Sequence, residues 1–397
     1  MTKICDVVVI GAGIHGAGVA QAVAAAGHSV IVLEKNGIAS GTSSRSSKLI
    51  HGGLRYLESG QFRLVRECLH ERSLLLKLAP DLVRLQPFFI PVYRQTSRSS
   101  LVIRCGLTIY ALLGGMNTAN RFTTVPRRNW DTLDQIETNG LQTVFQYWDA
   151  QTNDADLTRA VMQSAISLGA TALIPAKVSG IDLHKDGCAV HYQYNDKQET
   201  CITKVIINAS GPWANQLLDL VSSPINKAPV NLVQGTHIIL NRKLTKGIYY
   251  LESPVDKRAV FAIPWKNQCL VGTTETRFDL EPDLVKPLDE EIFYLLNTMN
   301  HYFPHSIATH NEIVNSFAGL RVLPAGDNSA FSRPRETILH TDRESSPRIL
   351  TIYGGKLTAY RHTASTVLER VACVLPNSNP VADTRKLSLT PIDDINL

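Results

Sequence analysis

Gly11, Gly13 and Gly16 form a GxGxxG run that follows directly on the apolar stretch Ile4 to Ile10 and opens the alanine-rich stretch Ile14 to Ala26. That order asks for a strand, a tight glycine turn and a helix. Ser29 to Leu33 then reads as a second strand, so one βαβ unit is predicted, with Glu34 at its end. In such a unit Gly11 permits the turn, Gly13 brings backbone amides up to a pyrophosphate and Gly16 lets helix and strand pack closely, while the helix N-terminus attracts phosphates. Glu34 is placed to accept hydrogen bonds from ribose hydroxyls and to repel a 2′-phosphate, which disfavours NADP. The fingerprint by itself does not choose between NAD and FAD.

Further along, Phe62 to Ala79 carries Phe62, Val65, Leu69 and Leu76 near helical spacing, and a second helix is expected from a cap at Asp154 or Asp156 through Leu168. Thr171 to Asn208 turns to β, with turn clusters at His184 to Gly187 and Asn195 to Lys197, a small meander. Residues 229 to 274 read as strands, Asp289 to Tyr302 as a helix, and Ile349 to Ile352 as a strand running into Gly354 and Gly355. At 397 residues the chain has room for two cores. The expected architecture is α/β, with a Rossmann-like nucleotide-binding domain made of 1–85, 150–228 and 310–397 and an inserted, mainly antiparallel substrate domain made of 86–149 and 229–309.

Several functions fall away. A net charge of +5, spread along the chain, offers nucleic acid little. Seven cysteines without a CxxC pair make a poor disulfide framework and imply a reducing, cytoplasmic setting. The first apolar run is too short for a signal peptide, and no stretch is long enough for a spanning helix. Neither a metal-ligand spacing such as HExxH nor a GxSxG nucleophile elbow is present, so no metal site is expected.

The segment Ser40 to Leu57 has an unusual composition, with hydroxyls, Lys48, His51 and the pair Gly52-Gly53, which suits bare backbone and donors laid against a flat ring and its phosphates. Within it, SSRSSKLIHGGLRYLE (43–58) resembles the signature of the FAD-dependent glycerol-3-phosphate dehydrogenases. NASGPWA (208–214), LVQGTHIIL (232–240), DKRAVFAIPW (256–265), LVGTTE (270–275), AGLRVLPAG (318–326) and IYGGKLTAYR (352–361) agree with that family in the same order. The resemblance implies a flavoenzyme related to amino-acid oxidases, with FAD as cofactor, that oxidises sn-glycerol 3-phosphate to dihydroxyacetone phosphate and passes electrons to a quinone. It also implies contact with the membrane surface and a homodimer. Flavin contacts are implied at Thr42, Ser43, Ser47, Lys48, Leu49, His51, Gly52, Gly53, Val178, Ala209, Gly211, Gly354, Gly355, Lys356, Leu357 and Thr358. Family members usually continue into a further helical domain, whereas Pro376 to Leu397 reads here as a polar, proline-containing tail, a short form.

The residue types suit the chemistry. Oxidising a secondary alcohol needs a group to take the hydroxyl proton while hydride leaves the same carbon and a phosphate is held fixed. Arginine gives a phosphate bidentate, permanently charged hydrogen bonds. The motifs supply Arg55 and Arg321, and the resemblance adds Arg333. His237 is the expected base, Lys356 the cation that stabilises developing charge, and Tyr56 and Thr274 line the same pocket. Two other readings stand beside this one: a flavin oxidase or dehydrogenase of another hydroxy substrate, and a flavin-binding protein without turnover. Residues 98 to 115 combine Arg98 and Arg104 with an apolar run, which fits a helix lying in a bilayer interface or one buried in the core.

Overall fold

The computed structural model describes residues 2–325 and 337–392. Its centre is an eight-stranded sheet in which Thr2–Ile10 lies between Val30–Leu33 and Lys197–Asn208, all parallel, with Ile349–Tyr353 parallel beyond Lys197–Asn208. Strands of this kind are buried on both faces, so they read as continuous apolar runs rather than alternating ones. Val7 and Val9 pack with Ala17, Val23, Leu157 and Val367 from the helices Ile14–Ala25, Asp154–Ser167 and Tyr360–Val371. Val8 and Ile10 face the other way, against Val178, Ile181, Val190 and Tyr192 of the meander. The expected meander is Ala176–Leu183, Cys188–Tyr194 and Lys197–Asn208, and Asn195 and Asp196 both take positive φ in its turn, as a two-residue hairpin requires.

A second, ten-stranded and mainly antiparallel sheet holds Val83–Tyr93, Leu141–Thr152 and the strands between residues 230 and 324. Alternation decides its two faces: Ile238, Tyr249, Leu251, Val260 and Ala262 pack under the helix Asp289–Tyr302, while Ile239, Ile248, Phe261 and Ile263 face the helices Phe62–Leu78 and Ser100–Leu113. The strand Ile313–Pro324 pairs along the whole of Val230–Leu240, from Val230 with Pro324 to Leu240 with Ile313. The boundary expected at residue 310 therefore falls after Pro324, because this strand's hydrogen bonds go to the second sheet.

One local reading also changes. The helix Asp154–Ser167 is capped by Asn153, whose side chain accepts from the Ala155 amide, and the Asp154 carboxylate turns back to Ser46 and Lys48. Residues 377–392 pack on the first core: Ser378 Oγ donates to Ala26 O, the Val381 amide to Ala25 O, and Leu389 is buried. The helix Ser100–Leu113 is neither wholly buried nor wholly exposed. Leu107, Tyr110 and Ala111 face the core, while Leu101, Val102, Ile109 and Leu112 face outward. Among the described residues no helix is long and apolar enough to cross a membrane.

Candidate active site

A single cavity of about 700 Å³ runs from the glycine turn of the first sheet to the strands of the second. At the first end Gly11 takes φ +104°, and a Cβ there would stand 2.7 Å from Ala209 O. A Cβ on Gly16 would lie 1.9 Å from Gly11 O, so Gly16 serves helix–strand contact and does not line the cavity. Gly13 caps the helix Ile14–Ala25 with no side-chain cap of its own, and Ser43 Oγ accepts from the Ile14 amide at 2.9 Å. Glu34 lines the same end, holding the Ala12 and Asn36 amides at 2.8 Å each, which uses two of a carboxylate's roughly four acceptor positions.

At the far end Arg321, Arg55, Tyr56, His237 and Lys356 come together. Arg321 donates to Glu275 Oε1 at 3.1 Å and Thr273 Oγ1 at 2.9 Å, and Arg55 Nη2 stands 3.9 Å from the same Glu275 oxygen. Arg258 donates to Glu275 O at 3.0 Å. Lys356 Nζ sits 3.7 Å over the Tyr56 ring, a cation–π contact. His237 is buried and stacked on Phe317, with Nε2 2.9 Å from Ser47 Oγ, while Nδ1 has no partner. Burial first, then Arg321 and Lys48, push its pKa down to about 3, so the imidazole is neutral at working pH.

Thr42, Ser43, Ser47, Leu49, His51, Gly53, Val178, Ala209, Gly211, Gly354, Gly355, Leu357 and Thr358 also line the cavity. Other expected residues stand elsewhere. Lys48 is withdrawn into a buried ion pair with Asp154 at 2.5 Å, which consumes its cation. Gly52 lies behind the lining, its amide donating to Tyr110 Oη at 2.8 Å and Asp149 Oδ1 at 3.3 Å. Thr274 is turned away: the strand Gln268–Gly272 ends just before it, its hydroxyl donates to Glu291 at 2.7 Å, and Thr273 takes the cavity position instead. Arg333 lies outside the described residues.

Glu275, Arg258, Asp149 and His15 also carry no expectation from sequence. Glu275 and Arg258 stand inside quoted motifs, so the signal was present. Asp149, the one acid in the strand Leu141–Thr152, lines the cavity, pairs with the fully buried Arg72 and takes Tyr110 Oη at 2.7 Å. His15, between Gly13 and Gly16, lines the cavity with Nδ1 buried and unpartnered, and lies against Gly355. Burial pushes its pKa down to about 4.

The FAD dependent oxidoreductase family matches the chain over residues 6–361. The glycerol-3-phosphate dehydrogenase of Synechocystis sp. is 35% identical over 96% of this chain and 72% of its own length. The D-erythritol 1-phosphate dehydrogenase of Brucella abortus is 34% identical over 94% of this chain and 74% of its own. This chain belongs to the FAD-dependent glycerol-3-phosphate dehydrogenase family. The structure of glycerol-3-phosphate dehydrogenase from Bacillus halodurans, complexed with FAD, aligns with it at a TM-score of 0.78 and 26% identity, covering 98% of this chain and 68% of that one. Glycine oxidase from Geobacillus kaustophilus, at 19% identity and a TM-score of 0.73, shares the fold over 98% of this chain and 99% of its own.

FAD is the family's cofactor, and the residues present fit it. Gly11 and Gly13 line the cavity at the N-terminus of the helix Ile14–Ala25, and Glu34 beside them keeps acceptor positions for ribose hydroxyls. Ser43, Ser47, Thr358 and the Gly354-Gly355 pair continue that wall toward Lys356.

Proposed function

We propose that this chain oxidises the secondary hydroxyl of a polyol phosphate, sn-glycerol 3-phosphate first, to the ketone, giving dihydroxyacetone phosphate. The observation that carries the reading is the meeting of Arg55 and Arg321 with His237 and Lys356 at one end of a cavity whose other end is a dinucleotide cradle. Bound FAD supplies the two-electron acceptor for the hydride leaving the carbon. Arg321 and Arg55 bind the phosphate through their planar forks and fix the carbon chain along the cavity. His237, neutral and close to Ser47, accepts the hydroxyl hydrogen bond and takes that proton as the hydride departs. Because its basicity is low, transfer depends on Lys356 and Arg321 stabilising negative charge on the substrate oxygen.

The Brucella relative, named for a four-carbon polyol phosphate, supports testing chain length directly. Electrons pass on to a quinone in this reading. The outward row Leu101, Val102, Ile109 and Leu112, with Arg104 on the same helix, supports a bilayer-facing surface at which such an acceptor is met. The deciding experiment is anaerobic addition of sn-glycerol 3-phosphate, erythritol phosphate, glycerol or L-2-hydroxyglutarate to the yellow protein. Bleaching of the flavin band by the phosphate esters alone is expected; bleaching by the hydroxy acid, or by none, overturns the reading. Reoxidation by a short-chain quinone against dissolved oxygen separates dehydrogenase from oxidase, and sedimentation with anionic vesicles, compared with Leu112→Asp, tests the surface.

A further inference from the structure

Glu291 stands in the first turn of the helix Asp289–Tyr302 and is buried. Its carboxylate accepts from Gln234 Nε2 and Thr236 Oγ1 at 2.5 Å each, both on the strand Val230–Leu240, and from Thr274 Oγ1 and Thr276 Oγ1 at 2.7 Å each, on the segment after Gly272. The Leu288 amide adds a contact at 3.3 Å. None of these donors is a cation. A charge buried among neutral donors is tolerated only when nearly every lone pair is used, and only an ionised carboxylate offers about four such positions on one small fork. Those hydrogen bonds hold its pKa below the usual carboxylate range despite burial.

The donors interleave with the site. Gln234 and Thr236 flank Gly235 and precede His237; Thr274 and Thr276 flank Glu275 and follow Thr273. Gly235, His237 and Thr273 line the cavity, and Thr273 and Glu275 hold the Arg321 guanidinium. The two segments are tied once more by the Thr236 amide donating to Thr274 Oγ1 at 2.8 Å. A single carboxylate on the helix side therefore sets the spacing of two segments whose other side forms the substrate end.

We propose that Glu291 is a positioning residue for the phosphate end of the site, acting through Thr236, Thr274 and Thr276 to place His237, Thr273 and Glu275, and through these Arg321. The inference rests on reading the Arg321 end as a phosphate site. Asp134 supplies the control: it gathers the Thr245 and Lys246 amides, Thr245 Oγ1 and Tyr249 Oη in the same domain, and none of these residues lines the cavity.

The test compares FAD-loaded wild type, Glu291→Gln, Thr276→Val, Thr276→Ser and Asp134→Asn. The readouts are flavin content, Tm, kcat and KM for sn-glycerol 3-phosphate, and the apparent Kd of inorganic phosphate from perturbation of the flavin spectrum. Glu291→Gln and Thr276→Val are expected to raise KM and phosphate Kd about tenfold or more with flavin content intact, since a misplacement of about 1 Å can cost about a hundredfold. Thr276→Ser restores wild-type values, and Asp134→Asn lowers Tm without moving KM. Should Glu291→Gln fail to fold, Thr276→Val decides. Loss of Tm in Glu291→Gln with wild-type KM and Kd overturns the proposal, as does flavin loss in proportion to activity. A wild type that binds phosphate but leaves polyol phosphates untouched overturns the substrate reading alone, and the phosphate Kd still decides on Glu291. A wild type that does neither overturns both.

Discussion

The guanidinium of Arg321 lies over Gly235, so closely that a Cβ built on that glycine would stand 2.6 Å from Arg321 Nη2 and 2.6 Å from Thr273 Oγ1. The two residues sit on paired strands, Val233 opposite Arg321 and Gly235 opposite Gly319, and the missing side chain is what lets the arginine lie flat along the cavity wall. Gly235→Ala is expected to displace Arg321 and raise KM for the phosphate substrate about tenfold or more, with the flavin spectrum unchanged. An unchanged KM would show that Arg321 does not hold the phosphate.

His237 gives a pH prediction whose sign follows from its lowered pKa. The folded protein keeps this imidazole neutral down to about pH 3, while the unfolded chain protonates it near the ordinary histidine value of 6.5. Between those values the unfolded state binds the extra proton, so stability is complete above about pH 6.5 and falls as pH drops, by about 2 kcal/mol at pH 5 from this residue. Denaturant melts of wild type and His237→Asn at pH 7.5 and 5.0 check it. The pH-dependent loss is expected to shrink in the variant.

Lys48 and Asp154 are both buried, and Asp154 also holds the Ser46 amide and hydroxyl. Removing one partner leaves the other charge in an apolar setting. Asp154→Ala is expected to destabilise by about 3–5 kcal/mol, read as a lowered Tm; a loss below about 1 kcal/mol, the worth of an exposed pair, would mean that water reaches Lys48.

His15 is expected to hydrogen-bond the bound flavin nucleotide. His15→Leu should then raise the FAD dissociation constant about 2- to 10-fold, the worth of one net hydrogen bond, with Tm of the flavin-free protein little changed. Ultrafiltration and flavin fluorescence measure the released cofactor. Equal retention in variant and wild type would make His15 a packing residue.

Much of this was legible along the chain, for physical reasons that differ by element. The βαβ unit announces itself because a strand buried on both faces must be a continuous apolar run, and because Gly11 and Gly16 are places where any Cβ would strike backbone. The helix Asp289–Tyr302 followed from periodicity, and part of the cavity wall lies in the quoted motifs. Other features depend on what lies across space. Lys48 reads as a ligand until Asp154, 106 residues away, is found against it. Thr273 and Thr274 are chemically alike, and only the end of the strand at Gly272 and the acceptor Glu291 decide which of them faces the cavity. Which hydroxyl faces the cavity and which arginine shares Glu275 are decided by contacts between distant segments, and the energy of a polar group is set by the partner that folding brings to it.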